Sequence, residues 1–335
     1  QYVTGLMVGD KGTVQAINNL FLNKPDQSVL NKFLTQETWS ETELNERRVE
    51  FELARLQRRP VSARAGRLII DDTLVQHKKG AIEGLAYLKD HGLNRYVWAH
   101  DVVTAHYVNR QDQFPVDLRL YQQFRVKYEA QRLRQLAEQV GQAPTLAGYQ
   151  QLLVELLSYR WRQQNFKTKT ALASEMVQAA VGWGLPFQLV LWDSWFSRRP
   201  LIEQVEQLGK DWIGGCPKDR KVLYRGRWQH LQTFIKRIPA EAYRPVKIND
   251  QLYWLFAKNL PAQFLKRRKL LVVAVFDTNL ELTKTPLFYI TTRLDWEANR
   301  FFITFLDRWP TDTLNHDVMG YLAFAQVQLR RGLGI

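Results

Sequence analysis

The first sixty residues alternate apolar and polar positions at helical spacing. Ser40-Glu41-Thr42-Glu43 has the Ser-x-x-Glu form of a capping box, and Val49, Leu53 and Leu56 then recur along one helix face. Asp26-Gln27-Ser28-Val29-Leu30 offers a second helix start. At Arg67 the period changes. Leu68–Val75 is apolar on both sides of two carboxylates, Asp71 and Asp72, as in a strand buried on both faces. Tyr96–Tyr107 is rich in β-branched and aromatic residues, and Phe114–Phe124 alternates. With turn formers at His91-Gly92 and Asn109–Gln113 between them, these segments predict a three-strand meander.

Residues 125–165 read as two polar helices hinged at Gly141–Pro144. Lys169–Trp183 is an amphipathic helix with Leu172, Met176, Ala179, Ala180 and Trp183 on one side, ended by Pro186. Phe187–Phe196 is a second buried strand carrying one acid, Asp193. A short helix at Arg199–Leu208 and a strand at Trp212–Cys216 follow. From Lys218 to Thr292 the pattern is all-β, with runs at Leu252–Ala257, Leu270–Phe276 and Leu287–Thr292. Trp296 to Leu329 reads as helical, with Pro310 inside it.

Composition narrows the class. Over 335 residues, 45% hydrophobic and 12% aromatic content supplies a large core and excludes a disordered chain. The net charge of +14 points to a polyanionic partner, nucleic acid before an anionic membrane. Most of the excess falls in two blocks: residues 125–170, with 8 basic and 3 acidic side chains, and 197–300, with 20 and 10. The single cysteine, Cys216, excludes an internal disulfide framework and a cysteine-based zinc site. The longest apolar runs are strand-length, short of the ~18 residues of a spanning helix. No secretory leader pattern stands out, so a cytoplasmic, nucleoid-associated protein with no membrane partner is expected.

An acid inside a doubly buried strand is costly unless it is paired or binds a cation. Asp72 and Asp193 stand at the same relative place in two such strands. A shared divalent metal is one reading, and a strand-end acid bonded to a turn is the other. Periodicity cannot choose between Asp71 and Asp72 where both faces are buried.

Three segments carry a family resemblance: Ile69-Ile70-Asp71-Asp72-Thr73, Leu191-Trp192-Asp193-Ser194-Trp195-Phe196 and Asp307-Arg308-Trp309-Pro310-Thr311-Asp312. They resemble the signature segments of bacterial insertion-sequence DDE transposases of the hairpin-forming, cut-and-paste group. Tyr96–Asn109 and Lys167–Met176 also look like family segments. The resemblance implies an α/β fold, a ribonuclease-H-like mixed sheet flanked by helices. It implies a helical DNA-binding domain at 1–66, a core at 67–209 and 293–335 with a helical insertion at 126–165, and a β-rich insertion domain at 210–292. It also implies Asp72, Asp193 and Asp312 as catalytic, metal-ligating acids, with Asp72 chosen because the family's acid directly precedes the threonine. Two Mg²⁺ ions, replaceable by Mn²⁺, would serve strand cleavage and transfer at element ends. Double-stranded DNA with terminal inverted repeats, target DNA and a homodimer on DNA are the implied partners. The family's last motif is Tyr, two residues, Arg, three residues, Glu, six residues, Lys. This chain departs from it at Phe305, Asp312 and Met319, with Arg308 retained.

Arg308 is then expected to contact phosphate and Trp309 to stack on a displaced base, against core packing as the plainer role for Trp309. His77, Lys78 and Lys79 follow the first acid closely enough to bind DNA. Lys266-Arg267-Arg268-Lys269 is the densest basic run and a candidate phosphate-contacting loop, or else a solvated hairpin. His100 and His106 share strand parity and read as structural, and His316 as a surface residue near Asp312. A catalytically inactive DNA-binding descendant and a structure-specific nuclease on the same core are the competing readings.

Overall fold

The computed structural model describes residues 14–22, 26–35, 40–58, 66–77, 84–90, 92–122, 126–142, 145–277 and 279–308. The N-terminal helices are α1 (Val14–Asn19), α2 (Gln27–Thr35) and α3 (Glu41–Gln57). The capping box forms as read, with Ser40 Oγ accepting from the Glu43 amide. Helix α3 lies on the core: Asn45 Nδ2 donates to the Val116 carbonyl at 3.0 Å, and Arg55 reaches Asp112 at 3.0 Å.

Four strands follow: β1 (Arg67–Gln76), β2 (Ala86–Asp90), β3 (Arg95–Val108) and β4 (Gln113–Tyr121). Strands β1, β3 and β4 are the expected antiparallel meander, and β2 adds a hairpin on the first half of β3. Helices α4 (Val126–Gly141) and α5 (Leu146–Asn165) pack on each other. Next come α6 (Lys169–Gly182), β5 (Leu189–Trp192), α7 (Arg199–Gln207) and β6 (Asp211–Gly215). Strand β5 runs parallel to β1, and β6 parallel to β5. The resulting order β4-β3-β1-β5-β6, with α6 and α7 as crossovers, is the ribonuclease-H-like arrangement of a mixed sheet flanked by helices.

The stretch expected as a β-rich insertion domain extends this sheet. It contains β7 (Lys221–Tyr224), β8 (Arg227–His230), α8 (Leu231–Ile235), β9 (Arg244–Ile248), β10 (Gln251–Pro261), β11 (Lys269–Asp277) and β12 (Leu287–Thr291). Strand β12 pairs with β6, so β12-β11-β10-β9 continues the core sheet to ten strands among the described residues. The β7–β8 hairpin turns on Arg225 and Gly226, both at positive φ, as a tight two-residue hairpin loop requires.

Helix α9 (Ala298–Leu306) closes the fold. One sheet face is covered by α6, whose Leu172, Ala173, Met176, Val177 and Ala180 are buried with Leu68, Ile70 and Trp192. The other is covered by α9, whose Phe301, Phe302 and Phe305 pack with Ile69, Leu191 and Ile213. Burial on both faces explains the continuous apolar runs of β1 and β5. Among the described residues no helix is long and apolar enough to cross a membrane.

Candidate active site

Strand β5 is shorter than its apolar run, ending at Trp192. Asp193 stands just past that end, and its Oδ1 accepts from the amides of Trp195 at 2.8 Å and Phe196 at 3.4 Å. The acid therefore closes the turn that terminates the strand. The turn lies directly on β6: a Cβ at Gly215 would fall 2.7 Å from the Ser194 nitrogen, and one at Gly214 would fall 2.2 Å from Trp192 Nε1. Only glycine allows that approach. Ser197 Oγ ties the turn down, accepting from Trp192 Nε1 at 3.1 Å and donating to the Gly215 carbonyl.

The parallel β1–β5 register runs from Arg67–Leu189 to Ile70–Trp192. Continued by one residue, it sets Asp193 beside Asp71. Side chains alternate along a strand, so Asp71 belongs with Ile69 on the α9 face and Asp72 with Ile70 on the α6 face. The contacts agree. Arg308, two residues past α9, donates to Asp71 Oδ2 at 2.7 Å, and Asp307 pairs with Arg67 on the same face. On the α6 face, Lys169 Nζ lies 2.7 Å from Asp72 Oδ2 and 2.5 Å from Asp101 Oδ2.

Electrostatics link the two faces. Burial pushes the Asp193 carboxyl up, the Asp72 charge pushes it further, and the two turn amides and Arg308 pull against them. Burial raises Asp101 to about 6 although Lys169 opposes it. Burial also pulls on the Lys169 ammonium, but Asp72 and Asp101 together outweigh it and raise that group. One ammonium thus serves two buried carboxylates, and Asp101 is the less well compensated. The Lys169 ammonium also lies 5.4 Å from the Tyr121 ring centre and 5.7 Å from that of Trp195, a half-exposed ring beside Asp193.

The other expected site residues fall as follows. His77 faces His100, with Nε2 and Nδ1 3.0 Å apart, so one ring donates to the other. Burial, then His100, lowers the His77 pKa. His106 is buried with neither ring nitrogen hydrogen bonded among the described residues, and burial lowers it to about 4. Phe305, where the motif has tyrosine, is a core residue against Tyr289, with ring centres 4.3 Å apart. Lys78, Lys79, Trp309, Asp312, His316 and Met319 lie outside the described residues.

The basic run divides. Lys266 and Arg267 take positive φ in a tight turn leading into β11, and all four side chains are exposed. Arg268, however, is bidentate to Glu206 at 2.8 Å on both arms, and Glu206 also accepts from Trp212 and Thr292. These hydrogen bonds outweigh burial and lower the Glu206 pKa. Arg268→Ala is therefore expected to lower the urea midpoint and leave the salt slope of DNA binding unchanged. Neutralising Lys266, Arg267 and Lys269 together should flatten that slope, since fewer counterions are released. Fluorescence anisotropy from low to moderate salt, beside urea melts, separates the two effects.

Sequence reasoning passed over Asp101 and Lys169. Asp101 carried the same signal as Asp193, an acid within an apolar strand. Lys169 gave no local signal, because its partner Asp72 is 97 residues away.

The fold is a ribonuclease-H-like α/β sheet with two acids inside β1 and a third just past the end of its parallel neighbour β5. Residues 1–231 match the family described as DDE superfamily endonuclease, and the chain belongs to that family. Its chemistry is accordingly nucleic-acid cleavage by phosphoryl transfer. No curated protein sequence matches. Among solved structures, the NurA nuclease from Sulfolobus solfataricus is similar at a TM-score of 0.30 and 8% identity, over 79% of this chain and 83% of that one. At that TM-score it bears no weight here.

Proposed function

We propose that this chain is a DNA transposase that cleaves and transfers strands at element ends through hairpin intermediates, with Asp71 and Asp193 as its first two site acids. The parallel β1–β5 register, which extended by one residue beyond Ile70–Trp192 pairs Asp71 with Asp193, together with the approach of Arg308 to Asp71, supports the reading. The choice of Asp71 departs from the sequence expectation of Asp72, whose charge also acts on Asp193 but which Lys169 engages from the α6 side.

Among the described residues no three His, Cys, Asp or Glu side chains converge as a metal-holding group. A pair of hard carboxylate oxygens nevertheless fits Mg²⁺, which takes one or two carboxylates and keeps water and phosphate as its other ligands. Asp193, held up in pKa by burial and by the Asp72 charge, has the surroundings that a divalent cation would relieve. Asp71 and Asp193 would hold the ion, with Asp312 as the proposed third acid. When bound, it would activate an attacking hydroxyl and stabilise the leaving oxygen of an in-line displacement at phosphorus.

The chain's own groups do the positioning. The Trp195 and Phe196 amides fix the Asp193 carboxylate in one orientation. Arg308 offers a planar fork suited to phosphate oxygens, and its pairing with Asp71 keeps that fork at the site. Trp195 stands beside Asp193 with half its ring surface exposed, where a nucleobase can stack.

The test incubates the full chain with duplex DNA carrying the sequences that flank its gene, with Mg²⁺ or Mn²⁺, and resolves products on denaturing gels. Hairpin ends that vanish with chelator are expected. Nicks without hairpins at any junction would favour a structure-specific nuclease, and binding without metal-dependent cleavage the inactive descendant.

A further inference from the structure

The β2–β3 hairpin carries two exposed tyrosine rings, Tyr87 and Tyr96, with Trp98 beside them. In its register Tyr87 stands opposite Trp98 and Lys89 opposite Tyr96, and directly opposed residues share a sheet face. The Tyr87 and Tyr96 rings stack with centres 5.4 Å apart, and Tyr87 meets Trp98 at 5.3 Å. Tyr87 is 54% exposed and Tyr96 55%. The two tyrosine rings form one surface open to solvent, with the half-buried Trp98 at its edge.

Its location follows from parity. Asp71 is paired with Thr104, and Val75 with His100, so the even-numbered positions of β3 lie on the same face of the sheet as Asp71. Trp98 and Tyr96 are even-numbered. The aromatic surface therefore continues the face on which Asp71 meets Arg308. Trp98 lies six residues along β3 from Thr104, about 20 Å at ~3.3 Å per residue. Lys89 is the charged side chain on this face of the hairpin, while Asp90, paired with Arg95, is on the other.

We propose that Tyr87 and Tyr96 form a stacking platform for the unpaired bases of a DNA strand that runs along the sheet from the active site. This inference rests on the nucleic-acid reading above and adds the kind of DNA engaged: a single-stranded segment, held through its bases. Flat rings in series accept any base, because every base has a π-face. The exposed Lys89 ammonium suits an accompanying phosphate. Stacked, solvent-facing rings in line with a phosphoryl-transfer site fit a nucleic acid strand better than an apolar protein partner, since this face of the hairpin also carries the Lys89 ammonium.

The probe is a fluorescein-labelled oligo-dT of about twelve nucleotides, within the usual site size of single-strand binders, beside an abasic oligomer of equal length. Binding is measured by anisotropy on the full-length chain carrying Asp193→Asn, so that cleavage does not intrude. We expect oligo-dT to bind at least roughly tenfold more tightly than the abasic strand, the usual effect of stacking one base. Adding Tyr87→Leu and Tyr96→Leu, which keep apolar area but remove the rings, should erase that preference. Tyr87→Phe with Tyr96→Phe should retain it, and unchanged urea midpoints would show that both pairs fold. Equal binding of the two oligomers, or an undiminished preference in the leucine pair, would overturn the proposal. So would a dimer in sedimentation that the leucine pair dissociates, because the rings would then serve a second copy of the chain. The two readings fail separately. A chain that prefers oligo-dT through these rings but never cleaves DNA refutes the active-site reading alone, and one that cleaves yet ignores bases refutes the platform alone.

Discussion

Asp71→Asn is expected to reduce metal-dependent DNA cleavage to background, whereas Asp72→Asn retains cleavage at reduced stability. The two residues are neighbours in one strand and identical in chemistry, so only the face they occupy separates them. Asp71 takes the next place after the Ile70–Trp192 pair, where Asp193 follows on the other strand, and is reached by Arg308. Its amide variant removes the charge that a divalent cation needs and leaves the packing of β1 intact. Asp72 is held by Lys169, which keeps Asp101 when the Asp72 charge is removed. Plasmid nicking by both variants, at matched concentration and with Mn²⁺, distinguishes them. The reverse pattern, with Asp72→Asn inactive and Asp71→Asn active, would return the role to the acid directly preceding the threonine.

Lys169→Met should cost stability on the order of 3 kcal/mol or more, because it leaves two carboxylates in a mostly buried site without their cation. The side chains concerned are 12% exposed for Lys169, 22% for Asp72 and 6% for Asp101. The loss should depend on pH in a definite sense. Asp101 is raised on folding from 3.8 to about 6. Its contribution is therefore fully present below pH 3.8 and is lost as pH rises through about 6, because the native state holds the proton that the unfolded state has released. Without Lys169 the fall should be steeper and extend to higher pH, and Asp101→Asn should remove most of it. Urea melts at several pH values between 4 and 8 measure this. A Lys169→Met stability curve parallel to that of the unaltered chain would mean that the ammonium does not govern Asp101.

The sheet was largely legible in the sequence, and its limits were local. Burial on both faces made β1 and β5 conspicuous, and the same burial hid which face each of Asp71 and Asp72 takes, since neither period nor polarity differs between the faces. Strand β5 stops at Trp192 rather than Phe196 because the Asp193 side chain takes the amides that a longer strand would have offered its neighbours. Strand β2 was missed because Ala86-Tyr87-Leu88-Lys89-Asp90 is short and half polar, and it gains order from β3. The continuity of 210–292 with the core depends on β12 pairing with β6, a long-range choice that no local pattern encodes. The basic run was visible as charge, but the commitment of Arg268 to Glu206, 62 residues away, was not.

A metal-dependent phosphoryl-transfer site at Asp71 and Asp193 requires the Asp193 carboxylate for cleavage and not for DNA binding. The most direct measurement is nicking of supercoiled plasmid by the full chain and by its Asp193→Asn variant, with Mn²⁺ and with chelator. Asp193→Asn should still bind DNA, because the basic surfaces are untouched, and should show no more nicking than the chelated control. Nicking by Asp193→Asn at the rate of the unaltered chain would contradict the account.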